Sequence, residues 1–161
     1  MGVDSLNFRQ ALAQFATGVT VVTGVRPTGK PTGVTVSAFS SLSLHPPLVL
    51  VCLNRATGTF DAYAEGRYFA VNVLADDQEP VSVGFAGPWQ SRFDGVAFET
   101  WAEGCPVLKG CLANILCRRH AVHDGGDHFI LVGEVERVAV DTTRQPLLYF
   151  RGGYNSCGRR P

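Results

Sequence analysis

Between residues 33 and 53 the chain reads GVTVSAFSSLSLHPPLVLVCL, and here side chains able to hold a ligand are densest. Thr35, Ser37, Ser40, Ser41 and Ser43 carry hydroxyls that both donate and accept hydrogen bonds. Held between strands, such a row is a hydrogen-bonding surface that a plain core does not need. The same residues equally suit the exposed side of a half-buried strand. A second cluster, His120, His123, Asp124 and His128, invites a metal. Period two, however, sends His120 and His123 to opposite faces of a strand, and no rigid ligand spacing supports a metal site. His128 alone reads as readily as a solvated turn residue. Asn54, Thr57, Gly58 and Thr59 can cap a short helix with amides and hydroxyls that suit an anion, although an ordinary capped helix uses the same residues.

Other chemistries are excluded. Gly24, Gly29 and Lys30 match the spacing of a phosphate loop, but Pro31 stands where Ser or Thr would ligand magnesium, and a strand rather than a helix follows. The chain contains no GxGxxG, GxSxG or HExxH and no credible order of Ser, His and Asp for a triad.

The elements that must position these residues can be read from periodicity. Leu6, Phe8, Leu12 and Phe15 form a helical stripe that Asp4 or Ser5 can cap and Gly18 end. Residues 19–23 are a β-branched strand, and the Gly- and Pro-rich stretch 24–33 makes a hairpin with the strand after it. That strand passes into a polar loop over residues 40–44, which His45, Pro46 and Pro47 break; residues 48–53 then read as a strand buried on both faces. A short helix ends near Ala64. Residues 68–74 are a strand and 78–86 a helix with Pro80 in its first turn. Residues 87–98 form a loop bearing Trp89, Arg92 and Phe93. Residues 111–122 and 129–140 are two long strands about a GGDH turn, with Gly133 marking a bulge. Residues 147–150 give a last strand, followed by a loop with an aromatic tip. About seven strands with hairpin connections and two or three short helices favour an antiparallel β-barrel.

The length of 161 residues fits one domain, and 45% hydrophobic with 17% charged residues describes an ordered globular chain. Fourteen basic residues balance fourteen acidic ones, so no global field attracts nucleic acid or an anionic membrane. No apolar run approaches the roughly twenty residues of a membrane span. Five cysteines without close pairing read as free thiols, which with the absence of a signal peptide ahead of Ser5 fits the cytoplasm.

In order along nearly the whole chain, FRQALAQFATGVTVVTG, GVTVSAFSSLSLHPPLVLVCLNR, FAVNVLADDQ with FAG after it, GGDHFILVGEVERV and PLLYFRGGY resemble the short-chain flavin reductases. These are the NAD(P)H-dependent reductase components of two-component flavin monooxygenases. The resemblance implies a mainly β, Greek-key split β-barrel of the FMN-binding type over residues 1–161, forming a homodimer with flavin near the subunit interface. It implies FMN or FAD, NADH or NADPH, and a separate flavin-dependent oxygenase as partner.

The resemblance also assigns residues. Thr35, Val36, Ser37 and Ala38 would lie along the isoalloxazine ring, and Ser41, Asn54, Ala56, Thr57 and Thr59 near the ribityl and phosphate groups. Phe85, Ala86 and Gly87 match the FAG segment beside the cofactor, with Phe93 following. His128 matches the histidine of a GDH motif by the nicotinamide or flavin, the catalytic candidate, and Tyr154 a C-terminal aromatic. The turn RATGTF departs from the more Ser-rich or basic segment of such proteins, which leaves FMN against FAD open. Hydride passes from nicotinamide C4 to flavin N5 without a protein acid or base, so the missing triad is expected. Two other classes compete: a non-catalytic flavin or haem module on the same barrel, and a pyridoxamine-phosphate-oxidase-like enzyme. The latter needs a basic cluster, for which only Arg118 with Arg119, and Arg159 with Arg160 at the tail, adjoin.

Overall fold

The structure, a computed structural model, describes residues 2–157; Arg159 and Arg160 lie outside the described residues. In chain order the elements are α1 (Ser5–Leu12), β1 (Thr17–Gly18), β2 (Thr20–Val25), β3 (Pro31–Val36), β4 (Phe39–Leu44), β5 (Pro47–Asn54), α2 (Phe60–Ala64), β6 (Tyr68–Val73), α3 (Glu79–Ala86), β7 (Phe98–Thr100), β8 (Pro106–Leu108), β9 (Ala113–Gly125), β10 (His128–Val140), β11 (Leu147–Phe150) and β12 (Gly153–Ser156). A seven-stranded antiparallel sheet runs β3-β2-β6-β9-β10-β5-β4. Its two edge strands, β3 and β4, are joined through Ser37 and Ala38 alone.

That connection forces the sheet to curl. Val34 and Val36 of β3 share a core with Val49, Val51 and Leu53 of β5, although four strands separate β3 from β5 in the sheet. Period two explains the sharing, since the alternate residues of each strand point inward. The result is the split β-barrel that the sequence implies. A second core beneath α3 gathers Val19, Val21, Leu74, Phe85, Leu108 and Leu147.

Local signals placed most elements. Asp4 caps α1, its Oδ2 accepting from the Asn7 amide at 3.2 Å. The β2–β3 hairpin closes through Gly29, whose φ of 80° a side chain would strain. Within the β9–β10 hairpin the pairing slips between Val132 and Gly133, where the sequence predicts a bulge. Gly133 is required there for packing: a Cβ would stand 2.4 Å from Phe69 Cζ and 2.6 Å from Cys117 Cβ.

Four expectations are corrected. The helix α1 ends at Leu12, and Gly18 instead pairs with Leu148 in a short strand. The polar stretch after Ala38 is a strand, not a loop, because β5 supplies it with backbone partners. Strand β5 buries only one face, Val49, Val51 and Leu53, and leaves Leu48, Leu50, Cys52 and Asn54 half-exposed. The segment holding Tyr154 is strand β12.

Candidate functional site

The half-exposed face of β5 is the floor of the site. Leu50, Cys52 and Asn54 share it by alternation, and across the β5–β10 ladder Ile130 faces Cys52 while His128 faces Asn54. His128 is therefore about 7 Å along the strand from Cys52, on the same side of the sheet. The Ala38 carbonyl accepts from the Cys52 amide at 2.9 Å, which brings the β3–β4 connection to the edge of this floor.

A groove of about 1130 Å³ opens above, lined in part by Ser37, Ala38, Ser40, Leu50 and Cys52. Single small-molecule sites run to about 300–1000 Å³, so the groove is large enough for a flat heterocycle of cofactor size. Its other wall is Leu12 and Phe15, with Tyr149 and Arg151. Ser37 and Ala38 lie between strands, and among the described residues their amides donate to no backbone carbonyl. Two adjacent unpaired amides beside an apolar slot suit the oxygen and nitrogen edge of a flat heterocycle.

At the end of β5 the turn 54–59 is built from its own side chains. Asn54 Oδ1 accepts from the Ala56 amide at 2.7 Å, the Thr57 hydroxyl donates to the Asn54 carbonyl at 3.0 Å, and the Thr57 and Thr59 hydroxyls are 2.8 Å apart. The Thr59 side chain is fully buried, so both hydroxyls shape the turn from inside. Arg55 ties the turn to the tip of the β9–β10 hairpin, its NH2 bonding Asp124 at 2.6 Å and its backbone amide reaching the Asp127 carbonyl at 3.1 Å. His128 begins β10 on that hairpin. Its Nδ1 meets Asp127 Oδ1 at 2.7 Å, which leaves Nε2 as the nitrogen available to a ligand. This hydrogen bond, and then the nearby imidazole charge, hold the Asp127 carboxyl below the usual carboxylate range.

The remaining sequence-predicted residues form a buttress behind the groove. The Thr35 hydroxyl donates to the Ser82 carbonyl of α3 at 2.6 Å, and the Ser82 hydroxyl lies 2.8 Å from the Tyr154 hydroxyl. The Val36 side chain is in the core and Phe85 is fully buried. Phe85 meets Phe93 edge-on with ring centroids 5.0 Å apart, and it fills the space a Cβ at Gly33 would need. Ala86 is the last residue of α3 and Gly87 its C-cap. Ser41 pairs with Val49 on the outer strand, while its neighbour Ser40 faces the groove.

Sequence reasoning overlooked Cys52 and the apolar wall of Leu12 and Phe15. Alternation with Asn54 could have flagged Cys52. In sequence Arg92 reads only as part of an aromatic loop; its buried guanidinium bonds the Gly33 carbonyl at 2.6 Å and the Gly87 carbonyl at 2.9 Å, locking the FAG segment to β3. Burial lowers its pKa, with Tyr63 opposing. Among the described residues no three metal-ligating side chains converge.

Residues 12–158 match the family model for the flavin reductase like domain. The chain belongs to the flavin reductase family. It is 43% identical over 159 residues to the FMN reductase (NADH) SmoA of Agrobacterium fabrum strain C58, covering 99% of this chain and 90% of that protein. The crystal structure of nitrilotriacetate monooxygenase component B from Mycobacterium thermoresistibile superposes with a TM-score of 0.91 at 38% identity, covering 98% of this chain and 90% of that one. The NADH:FAD oxidoreductase SgcE6 of Streptomyces globisporus, in complex with NAD and FAD fragments, matches with a TM-score of 0.90 at 34% identity, covering 96% and 93%.

Proposed function

We propose that this chain is a single-domain NAD(P)H:flavin oxidoreductase, residues 1–161, that reduces FMN or FAD and passes the reduced flavin to a separate oxygenase. The observation that carries this is the shared face: the unpaired Ser37 and Ala38 amides and Cys52 border one slot, and His128 begins β10 farther along the same side of the sheet. Bound flavin supplies a hydride acceptor and nicotinamide the hydride. Such a transfer asks the protein for orientation, exclusion of water and stabilisation of negative charge.

The residues fit those tasks. The Ser37 and Ala38 amides would hold the pyrimidine edge of the ring, where negative charge accumulates. Leu12, Phe15 and Leu50 would keep water from its face. The turn at Asn54, Ala56 and Thr57 would hold the flavin tail through backbone groups that Thr59 sets from below. His128 would orient the nicotinamide through Nε2. Thr35, Phe85, Ala86, Gly87, Phe93 and Tyr154 would brace the wall rather than touch the ring, and Val36 would contribute its backbone alone.

SmoA is named for FMN and NADH, SgcE6 for NADH and FAD, and the nitrilotriacetate monooxygenase protein is a component of an oxygenase system. These names support the same substrates and partner class here. The pyridoxamine-phosphate-oxidase-like alternative loses the Arg118–Arg119 pair as a free basic cluster, since Arg118 is paired with Glu134 and Glu136 and Arg119 bonds the Ala64 carbonyl. Among the described residues no helix is long and apolar enough to cross a membrane. The five free thiols support a cytoplasmic setting. The exposed stripe on α1 supports a homodimer.

Absorbance at 340 nm, followed with NADH or NADPH against FMN, FAD and riboflavin, tests the activity. Oxidation well above the enzyme-free rate is expected with at least one pair. No excess with any pair rejects the reading.

A further inference from the structure

We propose that Arg26 and Trp89 clamp the turn 54–59 at Gly58 and so set flavin affinity as positioning residues, without touching the flavin. This rests on the placement of the flavin tail at that turn. Arg26 follows the last residue of β2, and three groups hold its guanidinium. NH2 donates to the Gly58 carbonyl, the Asp61 carboxylate lies 3.6 Å away, and the Trp89 ring centroid is 4.3 Å from Cζ.

Trp89 in turn lies against Gly58, where a Cβ would be 3.5 Å from its Cδ1. Gly58 is the sharpest point of the turn, with φ of 68°. The turn is thus gripped at its carbonyl by one residue and over its α-carbon by another, both distant in sequence. At the other end Arg55 fastens it to the hairpin that carries His128. With the Thr57 and Thr59 hydroxyls spent inside the turn, the tail would meet mainly backbone, and backbone binds well only when its geometry is fixed beforehand.

Two further observations favour positioning over direct contact. The Arg26 side chain is 16% exposed, so an incoming phosphate would have to displace both Gly58 and Asp61. Its Nε is buried without a partner. Buried donors are normally satisfied; here one is given up while the guanidinium stays beside the indole.

The test uses Arg26→Gln, Arg26→Lys, Trp89→Leu and Trp89→Phe. Flavin Kd is measured by fluorescence titration, amide hydrogen exchange over residues 56–59 in flavin-free protein, and steady-state kinetics with NADH. Arg26→Gln and Trp89→Leu are expected to raise Kd for FMN and FAD alike by about fivefold to tenfold, the scale of a lost cation–π contact with its hydrogen bond. Exchange in the turn should accelerate, with kcat and the KM for NADH within about twofold. Lys and Phe should retain most of the affinity.

Unchanged Kd or unchanged exchange in both Gln and Leu variants overturns the clamp. A loss confined to FAD also overturns it, since Trp89 would then be touching the adenine. Trp89→Leu, a change at a partly exposed site, decides the matter if Arg26→Gln does not fold. Asn54→Ala, inside the turn, separates the two levels. If it raises Kd while the clamp variants do not, the clamp alone fails; if it leaves Kd unchanged, the tail does not bind at the turn and both readings fall.

Discussion

His128 owes its orientation to two neighbours of different kinds. The ladder to Asn54 fixes where its backbone starts β10, and Asp127 fixes its ring by occupying Nδ1. Asp127, an exposed carboxylate that the His128 hydrogen bond holds below the usual range, is ionised across neutral pH and serves the ring as its acceptor. The linkage sign follows: a depressed carboxylate contributes fully above its unfolded pKa, and the contribution is lost as pH falls through its folded one. His128→Ala should reduce kcat/KM for NADH by about tenfold to a hundredfold, the range for one lost polar contact to a reacting group, with flavin Kd within about twofold. Identical steady-state constants in variant and parent would remove His128 from the site.

The strands that carry these residues tolerate little change where they cross closely. At Gly133 the β9–β10 pairing slips so that Phe69 and Cys117 close over a bare α-carbon. Gly133→Ala should lower stability by about 1–3 kcal/mol through overpacking, read as a drop of several degrees in Tm. An unchanged melting curve would mean that the ring of Phe69 moves aside freely. This element also shows where sequence is informative. A glycine inside an alternating run signals a bulge by itself, as the NR and GGDH segments signal turns. The strand at Ser40 to Ser43 gave no such sign, because its pairing to β5 lies in another strand's backbone and not in its own side chains. Arg92 and Arg26 are equally hidden: an arginine reads as solvated until a distant carbonyl, Gly33 for one and Gly58 for the other, meets it. The hydroxyls of Thr57 and Thr59 were legible as a cluster, but not that they turn inward.

For the molecule as a whole, the uncovered surface is as informative as the core. The helix α1 buries no residue: its Leu6, Phe8 and Leu12 stand 62%, 55% and 57% exposed, and Phe15, just beyond its end, 77%. A stripe of this kind on a helix at the edge of a domain marks an interface. Leu12 and Phe15 also line the groove that Ser37 and Ala38 border, so the partner that covers the helix would complete the slot as well. In the proposed homodimer a second copy supplies that cover. Phe15→Asp places a charge in the stripe without disturbing the core, and it should shift the sedimentation mass from dimer to monomer. Because the open slot would then lose its water-excluding wall, flavin Kd should rise by about tenfold or more, the weight of burying one aromatic side chain. A variant that stays dimeric, or a monomer that binds flavin as tightly as the parent, would show that the groove is closed by this chain alone and that α1 serves some other contact.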